Sequence, residues 1–320
     1  MKPHTDPVTP ALSAVLQPAH DTPSRRARFR LGMFSAVLLV HAAALVGGVL
    51  FFSWAGVATA LVLVVVTTNL GISAGYHRLL VHRGYHTFWP IRYFLSLCGT
   101  LALQGGPLNW SATHRVHHQH AEDDADPHSP HAPRPSFWWG HCLWFCYSYP
   151  LTENTEAKWN RYVPDLYREP VLRFMERFFV LINVAFAGAL FAAGWAAGGR
   201  ELGASLVAWG FFVRIVFVWH ATWLVNSAAH MWGYRNYNTE DQSRNTWWVA
   251  LVTSGEGWHN NHHADPRSAS HGHKWWEVDP TFTGLRLLEA VGLVWDLRKP
   301  MVRALDNKRV GKEPEGEARA

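Results

Sequence analysis

The 320-residue chain has only three cysteines, Cys98, Cys142 and Cys146, and no two of them form a C-x-x-C pair. That scarcity argues against a disulfide framework and against a cysteine-rich structural zinc site, and it fits buried thiols in a reducing compartment. Charge is absent over long stretches. No Asp, Glu, Lys or Arg occurs from Leu31 to His77 or from Phe178 to Gly199, and only Arg214 interrupts the run from Leu202 to Tyr234. A bilayer crossing needs ~20 apolar residues, so these runs are poorly explained as core helices of a water-soluble fold. The near-zero mean hydropathy of the whole chain averages over them. No basic helix or stacking surface accompanies the arginines, which excludes a nucleic-acid partner. The tract before Arg25 has no apolar segment of a signal peptide. No GxGxxG fingerprint occurs, so electrons are not expected to arrive directly from a nicotinamide cofactor.

What is present gives an all-α integral membrane protein with four transmembrane helices at about 31–52, 56–76, 177–198 and 203–229. Ser53 to Gly56 is the expected turn of the first pair. Arg25, Arg26, Arg28 and Arg30 precede the first span and place the N-terminus in the cytoplasm. Residues 1–30 and the charged segment 306–320 are expected to be disordered tails flanking one domain over 31–305. Span parity then puts 77–176 and 230–305 in a helical cytoplasmic cap. Both termini and the site are cytoplasmic, and the expected location is a bacterial inner membrane. Phe88 to Trp110 is apolar but broken by Pro90, Arg92, Gly99, Gln104 and Gly105-Gly106-Pro107. If it crossed, the histidines on its two sides would be separated by the membrane; if they share a site, it must lie in the interface or dip in and return.

Nine of the twenty histidines fall into a pattern. His77-Arg-Leu-Leu-Val-His82 is followed by His114-Arg-Val-His117-His118, by Asn226-Ser-Ala-Ala-His230 and by His259-Asn-Asn-His262-His263. On a helix, positions i, i+3 and i+4 share a face, so each H-x-x-H-H aims its imidazoles at one region. His77 and His82, at i and i+5, need a helix end or kink to converge. Imidazole suits iron, zinc, copper and nickel, and nine rings are too many for one ion and about right for two. A redox metal pair beside a bilayer suggests oxygen activation, because side chains alone lack an oxidant able to break an unactivated C–H bond. His4, His20, His41, His86, His141, His271 and His273 are taken as lone structural histidines. His120, His128 and His131 fall outside the spacing. A carboxylate-type di-iron bundle needs two Glu-x-x-His pairs, and the chain offers only Glu256-Gly-Trp-His259.

With their flanks, Gly71-Ile-Ser-Ala-Gly-Tyr-His77 to Arg83, Thr113 to His118 and Gly255-Glu-Gly-Trp-His259 to His263 resemble the three histidine boxes of the membrane-bound delta-9 fatty-acid desaturases, the acyl-CoA and acyl-lipid enzymes. Ala221 to His230 is similar to that family's fourth ligand segment, and the resemblance runs over about residues 60–300. It implies four spans under a cytosolic cap holding two iron ions, with O2 as co-substrate and His77, His82, His114, His117, His118, His230, His259, His262 and His263 as ligands. Asn226 would act through water. Asn226 and His230, at i and i+4, would share a helical face. The resemblance also implies a bent acyl tunnel shaped by Trp110 and Thr222, and Arg214 matches an arginine of family members. Arg78, Arg83 and Arg115, near the boxes, are candidates to meet the phosphate of CoA or a lipid headgroup, with a salt-bridge role an equal alternative. His220 departs from the Asn of many animal members. The His-Pro-Gly-Gly signature of a fused cytochrome is absent, so a separate ferredoxin-like or cytochrome-like donor with its reductase is implied.

The expected activity is O2-dependent insertion of a cis double bond, at delta-9, into a saturated fatty acyl chain carried by CoA or lipid. Two rival readings are a membrane di-iron lipid hydroxylase or ketolase, and a metal transporter with histidine-rich loops. A transporter needs polar ligands near the bilayer midplane, where this chain offers only His41, Arg214 and His220.

Overall fold

In the computed structural model, residues 27–131, 135–148, 153–301 and 304–311 are described. Two short antiparallel pairings tie distant loops together: β1 (Arg28–Phe29) with β3 (Tyr147–Ser148), and β2 (His86–Thr87) with β4 (Val294–Trp295). The rest is helical. α1 (Leu31–Leu50) and α2 (Trp54–Val64) form a hairpin, and α2 runs on without a break as a π-helix over Val65–Val81. The turn falls where expected: Ser53 caps α2 by accepting the Gly56 N–H at 3.0 Å. After α3 (Trp89–Thr100), α4 (Pro107–Gln119) and α5 (Phe137–His141) come three short helices, α6 (Glu156–Tyr162), α7 (Pro164–Tyr167) and α8 (Pro170–Arg177). α9 (Phe179–Val207) then leads through a π-helical stretch, Ala208–Val213, into α10 (Arg214–Asn226) and α11 (Ala228–Met231). The chain finishes with α12 (Trp247–Val252), α13 (His259–Ala264) and α14 (Pro280–Ala290).

Three helical stretches are long and apolar enough to cross a membrane: Leu31–Leu50, Trp54–Val81 and Phe179–Met231. The last has 53 residues, which as a straight rod would reach about 80 Å, far beyond the ~30 Å of hydrocarbon. It folds back instead. Gly198 and Gly199 leave the helical region, Gly199 with a φ of 81°, and a Cβ on Gly194 would lie 2.7 Å from the Cα of Gly203. Two glycines at the reversal and two at the contact let the arms touch backbone to backbone. Leu39, Leu45, Val49, Leu61, Val180 and Leu181 point outward, more than half exposed, as an apolar belt.

α3 does not cross. Its 12 residues span about 18 Å, and it packs directly on the π-helix, where a Cβ on Gly71 would sit 2.5 Å from the Cys98 carbonyl carbon. On either side of this segment the histidine boxes come together in space. α4 starts at Gly106-Pro107, and the Glu176 carboxylate accepts the free N–H groups of Leu108 and Asn109 at 2.9 and 3.0 Å.

Several boundaries differ from expectation. The second helix continues past residue 76 to Val81, so His77 belongs to the helix itself. α10 ends at Asn226 and α11 begins at Ala228, with Ser227 between them still in the right-handed helical region, so Asn226 and His230 lie on one helical stretch interrupted at a single residue. Residues 306–311, inside the segment expected to be disordered, carry a 3-10 turn and return to the cap, where Asn238 N–H donates to Lys308 O at 2.6 Å and Val310 N–H to Asn236 O at 3.1 Å. In the expected N-terminal tail, Arg28 and Phe29 are paired strand. Residues 1–26 and 312–320 of the expected tails lie outside the described residues.

Candidate metal centre

The first box closes by a device that spacing alone does not reveal. In a π-helix the hydrogen bond runs from i+5 to i, and His82 N–H donates to His77 O at 3.1 Å. That wider turn brings His77 and His82 onto one face with ring centroids 4.8 Å apart, with no kink. α4 presents His114, His117 and His118, α13 presents His259, His262 and His263, and α11 presents His230. Their nitrogens gather into two groups, His77, His82, His114, His118 and His262 in one and His117, His230, His259 and His263 in the other, each within 4.8 Å. All nine rings of the sequence pattern are therefore at the centre, and each H-x-x-H-H divides its histidines between the two groups.

The facing atoms are Nε2 in nearly every pair. His77–His262, His262–His118 and His118–His114 stand at 3.1, 2.9 and 3.0 Å, while His259–His230, His263–His259 and His117–His263 stand at 3.0, 3.1 and 3.4 Å. Ligands ~2.1 Å from a common ion are separated by about 3.0 Å in octahedral and about 3.4 Å in tetrahedral geometry, which matches these spacings. The outer nitrogens settle the tautomers. Nδ1 of His77 donates to Glu256, His117 to Asp126 at 2.9 Å, His230 to Glu122 at 2.9 Å and His263 to Asp241 at 2.6 Å. With the proton on Nδ1, each Nε2 turns a bare lone pair inward, an arrangement that is repulsive unless a cation lies between the rings. His82 Nε2 is buried with no hydrogen-bond partner. Burial, followed by neighbouring imidazoles, holds His114, His118, His259 and His262 well below the ordinary histidine range, so they are neutral donors at pH 7. The donor set fits two imidazole-preferring cations such as iron.

The carboxylates Glu122, Asp126, Asp241 and Glu256 escaped the sequence reading, because they lie outside the boxes or were weighed only as direct ligands. Asp126 and Asp241 are held well below the usual carboxylate range against the effect of burial, chiefly by His117 and His263. His128 and His271 also sit closer than expected. His128 lies against His117, with ring centroids 4.4 Å apart and planes tilted by 34°, and shares Asp126, and His271 forms a group with His77 and Glu256. His41, His220 and His141 are not isolated either: Nε2 of His41 meets Nε2 of His220 at 3.1 Å, and Nδ1 of His220 meets Nε2 of His141 at 2.9 Å. This chain ties α1 to α10 and α5.

Two cavities meet at the metal groups. One, with about 490 Å³ of free space, is lined by Thr68, Ile72, His77, Val225 and Thr253. The other, about 730 Å³, runs past Asn109, Thr113, Phe145 and Tyr147. Trp110, His114, Thr222 and Asn226 line both and so form the waist. Trp110 stacks on His114 with centroids 5.1 Å apart and planes at 12°. Gln104 bridges the waist, donating to Thr222 Oγ1 at 2.8 Å and accepting from Trp110 Nε1 at 3.4 Å. Sequence reasoning treated Gln104 only as an interruption of an apolar run.

Sequence comparison decides the family. The fatty acid desaturase profile matches residues 52–288. The chain is 46% identical over 248 residues to the sn-1 stearoyl-lipid 9-desaturase of Anabaena variabilis, covering 77% of this chain and 85% of that protein. It is 43% identical over 243 residues to the sn-2 palmitoyl-lipid 9-desaturase of Nostoc sp. (strain 36), covering 76% and 81%. It is 42% identical over 258 residues to the sn-1 stearoyl-lipid 9-desaturase of Synechocystis sp., covering 81% and 76%. This chain belongs to the fatty acid desaturase family. It is an oxidoreductase that introduces a double bond into a fatty acyl chain, and its membership does not favour the hydroxylase and transporter readings.

In this desaturase the three arginines proposed for headgroup contact have other work. Arg78 has no exposed side-chain surface and is taken up by Asp279 at 3.0 Å, Glu256 at 3.1 Å and the Ala269 carbonyl at 2.7 Å. Arg115 binds Asp165 at 2.7 and 3.0 Å and the carbonyls of Leu80 and Tyr162, each at 3.0 Å. Both are structural, pinning the first and second boxes to neighbouring elements. Arg83 pairs with Asp165 at 2.6 Å but keeps 58% of its side chain exposed, and it alone of the three remains open to a headgroup.

Proposed function

We propose that this desaturase spans the membrane four times, holds two iron ions in the cap and inserts a cis double bond at the delta-9 position of a saturated acyl chain esterified to a glycerolipid. The observation that carries the metal assignment is the convergence of nine imidazoles in groups of five and four, with lone pairs turned inward by outer carboxylates. The groups His77, His82, His114, His118, His262 and His117, His230, His259, His263 each hold one iron, and Asn226, at the cavity waist, holds a water. The four-span count is supported by the reversal at Gly198–Gly199, which divides the third apolar stretch into two arms. With the arginines ahead of α1 facing the cytoplasm, both termini and the site lie on that side, in a bacterial inner membrane. The delta-9 position and the lipid carrier are supported by the names of the relatives.

The stoichiometry is one O2, two electrons and two protons per –CH2–CH2– unit, giving –CH=CH– and two waters. Bound iron supplies the O2-derived oxidant that an unactivated methylene requires. The protein's share is positioning. Adjacent methylenes are chemically equal, so the carbon pair chosen depends on where the chain is held. The waist of Trp110, Thr222 and Gln104 fixes the bend of the acyl chain beneath the imidazoles, and the mostly apolar walls of the smaller cavity keep water from the reacting carbons. Electrons come from a separate ferredoxin-like or cytochrome-like donor with its reductase. They enter through the open cleft on the far side, which is lined by His82, His118, His263, Arg115 and Lys308.

The test is expression in a host lacking its own desaturase, supplied with saturated acyl chains of defined length and followed by mapping of the double bond in the glycerolipid and acyl-CoA pools. His117→Ala abolishes product if the ligand assignment holds. Undiminished product from that variant, or a double bond appearing first in the acyl-CoA pool, refutes the metal and carrier assignments respectively.

A further inference from the structure

We propose that Arg214 fixes where along the acyl chain the double bond forms, acting through the backbone turn that carries Gln104 into the cavity waist. The proposal rests on the reading that the cavity holds the acyl chain. Arg214 is 1% exposed inside the apolar bundle, and no carboxylate pairs with it among the described residues. Its Nε donates to Gly210 O at 3.0 Å, in the π-helical stretch just before it, its Nη1 donates to Leu101 O, and Nη2 is buried without a partner. The faces of Phe211 and Phe186 flank the guanidinium at 5.8 and 5.9 Å.

A desolvated cation is expensive in such a place unless something there is negative. Leu101 is the C-cap of α3, and the last carbonyls of a helix carry its negative partial charge. Arg214 is therefore a cap supplied by another helix. What it caps is a constrained turn: Leu103 has a φ of 56° and Gly105 a φ of 117°, and leucine rarely adopts the left-handed region. Four residues of α10 hold that turn. Arg214 takes Leu101 O, Trp219 Nε1 donates to Leu103 O at 2.9 Å, and Gln104 Nε2 donates to Val218 O at 3.3 Å and Thr222 Oγ1 at 2.8 Å. Gln104 reaches the waist only because the turn is kept in this conformation. Arg214 touches neither the cavity nor the imidazoles, so it is a positioning residue.

The experiment is to compare the double-bond position in products of Arg214→Met, Thr222→Val and the double variant Arg214→Met/Leu103→Gly, alongside the metal content of each purified protein. Arg214→Met removes the donor while keeping bulk. It is expected to retain wild-type metal content while product at neighbouring carbons rises about tenfold or more, since displacements of order 1 Å alter rates by about 100-fold. Glycine adopts the Leu103 conformation freely, so the double variant is expected to recover a single position. A wild-type product position in Arg214→Met, while Thr222→Val shifts it, overturns the proposal and leaves the cavity reading standing. If neither variant shifts the position, the cavity reading fails and takes the proposal with it. If Arg214→Met does not fold, Arg214→Leu carries the test. Like methionine, leucine has no donor for Leu101 O, and an unchanged single position in that variant likewise overturns the proposal.

Discussion

Replacing Asp126 with Asn tests the metal assignment without removing a ligand. The Asp126 carboxylate is fully buried and accepts three hydrogen bonds, from His117 Nδ1 at 2.9 Å, Glu122 N–H at 2.9 Å and His128 N–H at 3.0 Å. An amide of the same shape has one oxygen and one NH2. In either orientation the NH2 faces at least one of these donors, so a bond is lost together with the negative charge behind His117. Loss of a partner behind a ligating histidine lowers metal affinity by about 10–100-fold, equivalent to about 1.4–2.7 kcal/mol. His117 belongs to the four-imidazole group, and His77, His82, His114, His118 and His262 do not touch Asp126. The expected outcome of a chelator titration is two-stage loss in the variant: one iron leaves at 10–100-fold lower free chelator, about one per chain persists, and desaturation falls with the first. Coincident release of both ions at the wild-type chelator concentration would refute the claim that the carboxylate orients His117 toward a metal.

Gly71→Ala forces a Cβ to 2.5 Å from the Cys98 carbonyl carbon and 2.6 Å from Gly99 N. Backbone cannot yield there, and a loss of about 1–3 kcal/mol or more is expected as a lowered melting temperature in detergent. Burial, and then the neighbouring His220, pushes His141 down to about 4, below the ~6.5 of an unfolded histidine. The unfolded chain therefore takes up the proton first, and stability falls as pH drops from about 6.5 toward 4, by about 1–2 kcal/mol once partial screening is allowed for. Melting curves at pH 7 and 5 check this, and His141→Asn is expected to flatten the difference. Stripping the ions with chelator should lower the melting temperature and re-addition of iron should restore it, because the inward lone pairs repel when no cation lies between them. Equal melting temperatures with and without metal would contradict that.

The sequence by itself determined the class of chemistry and the ligand inventory. Uncharged runs and H-x-x-H-H spacing are local properties: a bilayer reads length and polarity, and a helix maps i, i+3 and i+4 onto one face wherever it sits. That is why the nine histidines, the Ser53 turn and the reversal near Gly199 were legible. The tertiary structure decided everything that depends on which segments meet. Whether His77 and His82 converge is set by the π-helical run to Val81, a departure from ordinary helix geometry that no spacing rule anticipates. The outer carboxylates Glu122, Asp126, Asp241 and Glu256 serve rings from 9 to 179 positions away only after the fold closes: His263 finds Asp241, and His77 finds Glu256. Arg78 and Arg115 looked like headgroup contacts because they flank the boxes, but buried cations go where carboxylates and carbonyls can hold them. Gln104, read as a break in an apolar stretch, reaches Thr222 and Trp110 through long-range contacts with α10 that no window of sequence contains.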